Sequence, residues 1–410
     1  MEQSASYIAK PEEVKKVILL YSGGLDTSVM IKYIKEKYNA DIIALTIDIG
    51  QPLEDLQKIK EKALNIGAIK AYTFDAKDDF ADNYVANAIK ANALYEGKYP
   101  LSTAIGRPLL AKLAVDIAKK EGADAIAHGC SGKGNDQVRI DGTVITLDPK
   151  IKIVAPVREW NMTRDKEIEY AKKNNIPVPV DVNKPYSTDE NLWGKSTECG
   201  ILEDPNEEPP SDVFNFVTLP ENAPNKAEYV QLEFKKGIPT KLNGMEMKLS
   251  NLIMQLNKIA AKHGVGIIDM MEDRVVGLKS REVYECPAAT CIIEAHKELE
   301  KFTSTIHENM FKPIADNKWS YLAYAGLWYD PLMQSLNAFI DKMNEKVNGI
   351  IKLKLYKGNY IVVGRDSKNA LYDKNLATYN IEQTFNQAAS PGFIEIWTLQ
   401  SKLVNQINRK

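Results

Sequence analysis

The stretch VILLYSGGLDTSVMIKYIKEKY, residues 17–38, decides the fold. It opens on an apolar run rich in β-branched residues at 17–21 and passes through the pair Gly23-Gly24. From Ser28 it keeps helical periodicity to Tyr38. A continuous apolar strand that turns straight into a helix is how a parallel sheet covered on both faces begins. Further apolar runs at 41–48, 68–74 and 123–128 alternate with helical segments at 53–66 and 108–121, so the first part of the chain reads β-α-β-α. In such sheets ligands sit beyond the carboxyl ends of the strands.

The loop YSGGLDTS, residues 21–28, lies at such a strand end. Gly23 and Gly24 let backbone N–H groups approach an anion, and the helix dipole with the Ser22, Thr27 and Ser28 hydroxyls adds donors. Taken alone, a glycine pair there also fits a plain strand-helix turn. No lysine follows the glycines, so the arrangement that cradles β- and γ-phosphates for γ-transfer is missing. Asp26 repels a bare polyphosphate, which leaves it to hold Mg²⁺ on the phosphates or to brace the loop.

A second polar run, HGCSGKGNDQVRI at 128–140, follows the strand at 123–128. Gly129, Gly132 and Gly134 open the backbone, while Asn135, Asp136 and Arg139 can fix the carboxylate and ammonium groups of an amino acid. A solvated polar turn would have the same composition.

The chain has 410 residues, enough for two or three folding units. Lys plus Arg is 53 against 55 Asp plus Glu, a net charge of −2, without the basic excess that holds a phosphate backbone. Nucleic acid is therefore not an expected partner. The first residues are polar and charged, and no stretch approaches the ~20 apolar residues that cross a bilayer. A membrane is not expected either. Four cysteines, Cys130, Cys199, Cys286 and Cys291, contain no C-x-x-C pair, which fits a reducing cytoplasm and assigns no protein metal site.

A helix at 164–174, followed by IPVPV, ends the first domain, and the proline- and acid-rich run 201–212 reads as a loop. Beyond it the pattern changes: 229–234 alternates with period two, 353–363 reads as a hairpin turning at Lys357-Gly358-Asn359, and helices are expected at 249–263 and 331–347. The expected division is 1–180, 181–385 and a C-terminal helix at 386–410, which packs on another subunit or on its own core.

YSGGLDTS resembles the S-G-G-x-D-T/S signature of the ATP pyrophosphatase (PP-loop) enzymes, and 128–140 resembles the G-x-T-x-K-G-N-D-x-x-R-F signature of the argininosuccinate synthase family. The likeness continues through KYPLSTAIGRP, NKPYSTDENLWGKS and MEDRVVGLKSREVYE. It implies an α/β fold: a parallel-sheet, Rossmann-like PP-loop domain, then an α+β synthetase domain and a C-terminal helix. The implied activity is ligation of citrulline to aspartate in arginine biosynthesis, with ATP split to AMP and pyrophosphate by way of citrullyl-AMP. Mg²⁺ accompanies ATP, and a cytoplasmic homotetramer is implied.

Carried over by position, ATP falls to Leu20, Tyr21, Ser22, Gly23, Gly24, Leu25, Asp26, Thr27, Ser28, Ile47 and Gly129. Citrulline falls to Tyr99, Asn135, Arg139, Ser187, Ser196, Glu272 and Tyr284, and aspartate to Ser131, Asn135 and Asp136. Lys133 is expected to stabilise charge at the α-phosphate, and Asp136 to hold the aspartate ammonium and accept its proton. Ser131 stands where the signature has threonine, Ile140 where it has phenylalanine, and Ala104 where some relatives carry a citrulline-contacting serine. Two readings compete with this one. A tRNA-thiolation or amidotransferase-type PP-loop enzyme would need C-x-x-C pairs or an N-terminal cysteine; a nucleotide sensor would not need the amino-acid residues. His128 and His263 read as structural, and the aromatic cluster 319–329 as core.

Overall fold

The computed structural model describes residues 5–52, 55–160, 162–177, 186–379 and 384–409. Its first sheet has five parallel strands in the order β3-β2-β1-β4-β5: β1 Lys16–Leu20, β2 Asp41–Asp48, β3 Lys70–Asp75, β4 Ala125–Ala127 and β5 Lys152–Val154. The side-chain period of two splits these strands between two cores. Ile18, Ile43, Ile126 and Ile153 face one core, and Val17, Leu19, Ile42 and Ala125 face the other. That double burial is why the strands are apolar throughout.

The chain builds outward from β1 to β3, then crosses back to β4 on the other side. The reversal puts the switch point between β1 and β4, where a crevice opens at the carboxyl edge. Both polar motifs follow these two strands.

The helix after β1 spans Leu25–Tyr38, three residues earlier than periodicity alone indicates. The helix expected at 108–121 begins at Ser102 and carries Pro108 inside it. Its start is set by Leu101 in the left-handed region (φ 65°) and by the Tyr99 hydroxyl, which accepts the Thr103 N–H at 2.9 Å. A tyrosine replaces the Ser, Thr or Asp that usually marks a helix start.

The remainder forms two antiparallel sheets. One has the order β10-β9-β8-β13-β14, with β8 Glu228–Lys235, β9 Ile238–Leu242, β10 Met245–Glu246, β13 Gly349–Tyr356 and β14 Asn359–Asp366. The β13–β14 hairpin turns at Lys357 (φ 44°) and Gly358 (φ 81°), as the sequence indicates. The other has the order β11-β12-β7-β6, with β6 Ser187–Asn191, β7 Gly194–Glu198, β11 Ile267–Asp273 and β12 Lys279–Glu285. Helices Leu249–Lys262, Pro287–Thr303, Ile306–Tyr324 and Pro331–Asn344 pack between and around them. One apolar core runs from Ile18 and Ile43 of the first sheet to Trp193, Leu232 and Trp319, so the two halves share packing.

The expected boundary at 180/181 lies outside the described residues. Instead of one terminal helix there are two, Ser390–Trp397 and Leu399–Asn408, and neither buries a side chain. Among the described residues, no helix is long and apolar enough to cross a membrane.

Candidate active site

The loop after β1 is tied down from behind. Thr46 Oγ1 donates to the Tyr21 carbonyl at 2.8 Å, Lys62 Nζ to the Gly23 carbonyl at 2.6 Å, and Ser28 Oγ to the Gly24 carbonyl at 2.7 Å. Gly23 sits at φ 82°, which a side chain rarely adopts. The carbonyls thus face inward, and the first N–H groups of helix Leu25–Tyr38, which have no acceptor within the helix, are left to the crevice. Ser22, Gly24, Leu25, Asp26 and Thr27 line it, whereas Gly23 and Ser28 brace the loop.

Opposite lies the loop after β4. A Cβ at Gly129 would come within 2.8 Å of Met30 Cε, so glycine leaves room there for the Met30 side chain of helix Leu25–Tyr38. His128 is buried, its Nδ1 accepting the Cys130 N–H at 3.1 Å and its Nε2 facing Asp141 Oδ1 at 2.7 Å. Bonded within the fold at both ring nitrogens, His128 lines neither cleft. His263, buried at the end of helix Leu249–Lys262 and bonded to Glu228, lines neither as well.

The third wall is the β11-β12-β7-β6 sheet. Its register pairs Ser187 with Glu198, Asp189 with Ser196, and Ser196 with Tyr284. Residues opposite each other on antiparallel strands point to the same face, so Ser187, Asp189, Ser196, Glu198, Glu272, Glu282 and Tyr284 form one polar face. All seven line the same cleft as the two loops, a space of about 920 Å³.

Inside it, Glu272 is buried and accepts from Tyr284 Oη at 2.7 Å and Tyr324 Oη at 2.8 Å. Burial raises its pKa despite these two donors. Tyr324 Oη also accepts from Asn135 Nδ2 at 2.7 Å, and Asn135 Oδ1 accepts the Val275 N–H at 2.9 Å. The Tyr99 ring stacks on Tyr284 with centroids 4.0 Å apart, and Tyr95 on Tyr324 at 3.5 Å. Arg274, in the β11–β12 turn, bonds Glu198 and Glu282 and reaches the Lys133 carbonyl at 3.3 Å. Burial and the neighbouring Glu198 and Glu272 charges push Glu282 well above the ordinary carboxyl range.

Asp136 is held on both sides. Its Oδ2 accepts from Arg107 Nε at 2.9 Å and its Oδ1 from Arg139 Nη1 at 2.8 Å. Burial opposes ionisation, but the two guanidiniums outweigh it and keep the carboxyl below its usual range. A carboxylate so held is a weak proton acceptor. Arg139 also donates to the Tyr324 carbonyl at 2.9 Å. Asp26, at the cleft mouth, pairs with Arg164, and burial together with the Asp26 charge raises Glu167 to about 7.

A second cleft of about 490 Å³ adjoins the first on the β2 side, lined by Leu20, Tyr21, Leu45, Ile47 and Leu110 among others. The two clefts share Ser22, Arg107, Thr188 and Asp189.

Of the candidates read from sequence, Ser131, Asn135, Asp136, Arg139, Tyr99, Ser187, Ser196, Glu272 and Tyr284 all line the main cleft with Gly129, while Leu20, Tyr21 and Ile47 line the second. Lys133 is exposed and lines neither; only its carbonyl takes part, through Arg274. Sequence reading missed Arg107, Asp189, Glu198, Arg274, Glu282 and Tyr324. Period-two alternation from Ser196 and Tyr284 reaches Glu198 and Glu282, so that signal was present. The sequence puts Tyr324 in the core. It is buried, but its hydroxyl ties Asn135 to Glu272.

The arginosuccinate synthase N-terminal HUP domain model matches residues 16–177, and the arginosuccinate synthase C-terminal domain model matches 186–404. An argininosuccinate synthase of Oceanobacillus iheyensis is 54% identical over 394 residues, covering 96% of this chain and 94% of its own. One of Pyrococcus furiosus is 56% identical over 388 residues, covering 95% and 94%. With the PP-loop geometry at the β1/β4 switch point and relatives this similar over nearly the whole length, this chain belongs to the argininosuccinate synthase family.

Proposed function

We infer that this chain ligates citrulline to aspartate in arginine biosynthesis, with ATP released as AMP and pyrophosphate. The observation that carries the reading is that both glycine loops and the polar sheet face border one cleft, with an apolar slot beside it. Adenine enters the slot against Ile47 and Leu20, the pyrophosphate lies on the 22–28 loop, and Gly129 meets the nucleotide from the main cleft. Citrulline takes the wall of Tyr99, Asn135, Arg139, Ser187, Ser196, Glu272 and Tyr284. The paired carboxyl and phenol groups there suit its ammonium and ureido N–H groups, and Arg139 suits its carboxylate. Aspartate takes Ser131, Asn135 and Asp136.

The ureido oxygen attacks the α-phosphorus and pyrophosphate leaves along the loop; the aspartate amine then displaces AMP from citrullyl-AMP. Every bond made or broken belongs to a substrate, so the protein supplies orientation and charge neutralisation. Among the described residues, no group of three or more His, Cys, Asp or Glu could hold a metal. Mg²⁺ fits as an ion carried on the phosphates and met by one or two carboxylates, and Asp26 with the neighbouring Glu167 is placed for that.

The domains are taken as 1–180, 181–385 and 386–410. The last presents Phe393, Ile396, Trp397 and Ile407 to solvent in a single chain. An apolar arm of that kind supports association with other copies of the chain, and the family resemblance makes the assembly a homotetramer. Four free cysteines and small-metabolite substrates support a cytoplasmic setting. The test is product analysis with ATP, citrulline and aspartate together. AMP and pyrophosphate in equal amounts, only when both amino acids are present, support the reading; ADP contradicts it.

A further inference from the structure

If ATP lies with its base in the second cleft and its pyrophosphate on the 22–28 loop, the α-phosphorus lies where the two clefts meet. Four residues line both, and only one is basic: Arg107, on the second turn of helix Ser102–Glu121. Its position is fixed from two sides. Nε donates to Asp136 Oδ2 at 2.9 Å, and Nη2 forms ion pairs with the same oxygen at 2.7 Å and with Asp189 Oδ1 at 2.9 Å. Nη1 donates to no side chain or carbonyl among the described residues, so one edge of the guanidinium remains for a ligand. A planar cation held by two anions keeps its orientation, and its charge suits a phosphoryl oxygen.

We propose that Arg107 is the catalytic residue at the α-phosphate, donating from Nη1 to a non-bridging oxygen and neutralising the negative charge that oxygen carries as the ureido oxygen attacks. Asp136 and Asp189 are its positioning residues. The role read for Lys133 from the sequence passes to Arg107, because the Lys133 side chain reaches neither cleft. The assignment rests on the adenylation reading above. The attack itself is unchanged: the ureido oxygen–phosphorus bond forms, the bond to the pyrophosphate oxygen breaks, and Arg107 exchanges no proton.

The test is citrulline-dependent exchange of labelled pyrophosphate into ATP by the full chain. Arg107→Gln should lower the exchange rate at saturation by roughly 10²–10³-fold, the usual effect of removing one oxyanion donor, with the KM for ATP and citrulline changing far less. Arg107→Lys, which keeps a charge but not the fork, should fall between that and wild type.

A second readout separates contact from scaffolding. Wild type should discriminate between the two diastereomers of ATP carrying sulfur on the α-phosphorus, and Arg107→Gln should lose most of that discrimination. If the wild-type chain shows no citrulline-dependent exchange, the adenylation reading itself fails. Given wild-type exchange, a rate in Arg107→Gln close to wild type overturns the assignment. So does unchanged diastereomer discrimination, or a loss confined to Lys133→Gln.

Discussion

The Tyr324 hydroxyl stands between Asn135 Nδ2 at 2.7 Å and Glu272 Oε1 at 2.8 Å, and so joins the loop after β4 to the sheet wall across the cleft. Removing it in Tyr324→Phe leaves the Glu272 carboxylate with Tyr284 as its one tyrosine donor. Burial already raises the Glu272 pKa, and the two phenols oppose that rise, so losing one raises it further. A protonated Glu272 cannot pair with an ammonium. The citrulline KM should therefore increase as pH falls, and in Tyr324→Phe the increase should begin at higher pH, with a KM about tenfold higher near neutrality. Identical KM–pH profiles for the two proteins would separate Glu272 from citrulline binding.

Asp136→Asn tests what that carboxylate does. Held below the usual carboxyl range by Arg107 and Arg139, it serves better as their anchor than as a base for the aspartate amine. The substitution should then slow both pyrophosphate exchange and overall ligation, by comparable factors of about tenfold or more. A loss confined to the aspartate-dependent step would restore Asp136 as the proton acceptor.

Much of this site is legible in the sequence, and the gaps have physical causes. A glycine pair between an apolar strand and a helix marks a loop that can meet an anion, and the resemblance of YSGGLDTS to the PP-loop signature singles it out from a plain turn, so residues 21–28 could be read locally. The strand order could not, although it brings the loops after β1 and β4 together. Helix Ser102–Glu121 was misjudged because its N-terminus is satisfied by a tyrosine hydroxyl from outside it. Arg107 was missed for a related reason. Its partners Asp136 and Asp189 lie 29 and 82 positions away in the chain, and no local spacing encodes that meeting.

Gly24 sits at φ −71° and ψ 179°, extended backbone open to any residue, and a Cβ there would meet only Ser22 Oγ at 3.3 Å. Gly24→Val should therefore fold with a near-normal melting temperature while its branched side chain covers the helix N–H groups. The KM for ATP should rise by roughly 10²-fold, equivalent to about 2.7 kcal/mol. Near-normal ATP affinity in the folded variant would remove the loop from phosphate binding.

Glu167 gives a pH signature of the cleft mouth. Its folded pKa, about 7, lies above the ordinary 4.5 because of burial and Asp26. Its contribution to stability is thus present below about 4.5 and is lost as pH rises through about 7. Glu167→Gln should melt higher than wild type at pH 8 and much like it at pH 5, in scans without nucleotide. A difference that is the same at both values would mean that burial and Asp26 do not raise the Glu167 pKa.

The central claim is that citrulline is the group adenylated, and pyrophosphate exchange tests it most directly. With ATP, Mg²⁺ and citrulline but no aspartate, labelled pyrophosphate should enter ATP, because formation of citrullyl-AMP is reversible on its own. Aspartate alone should support none. Exchange that needs aspartate in place of citrulline, or label transfer accompanied by ADP, would contradict the account.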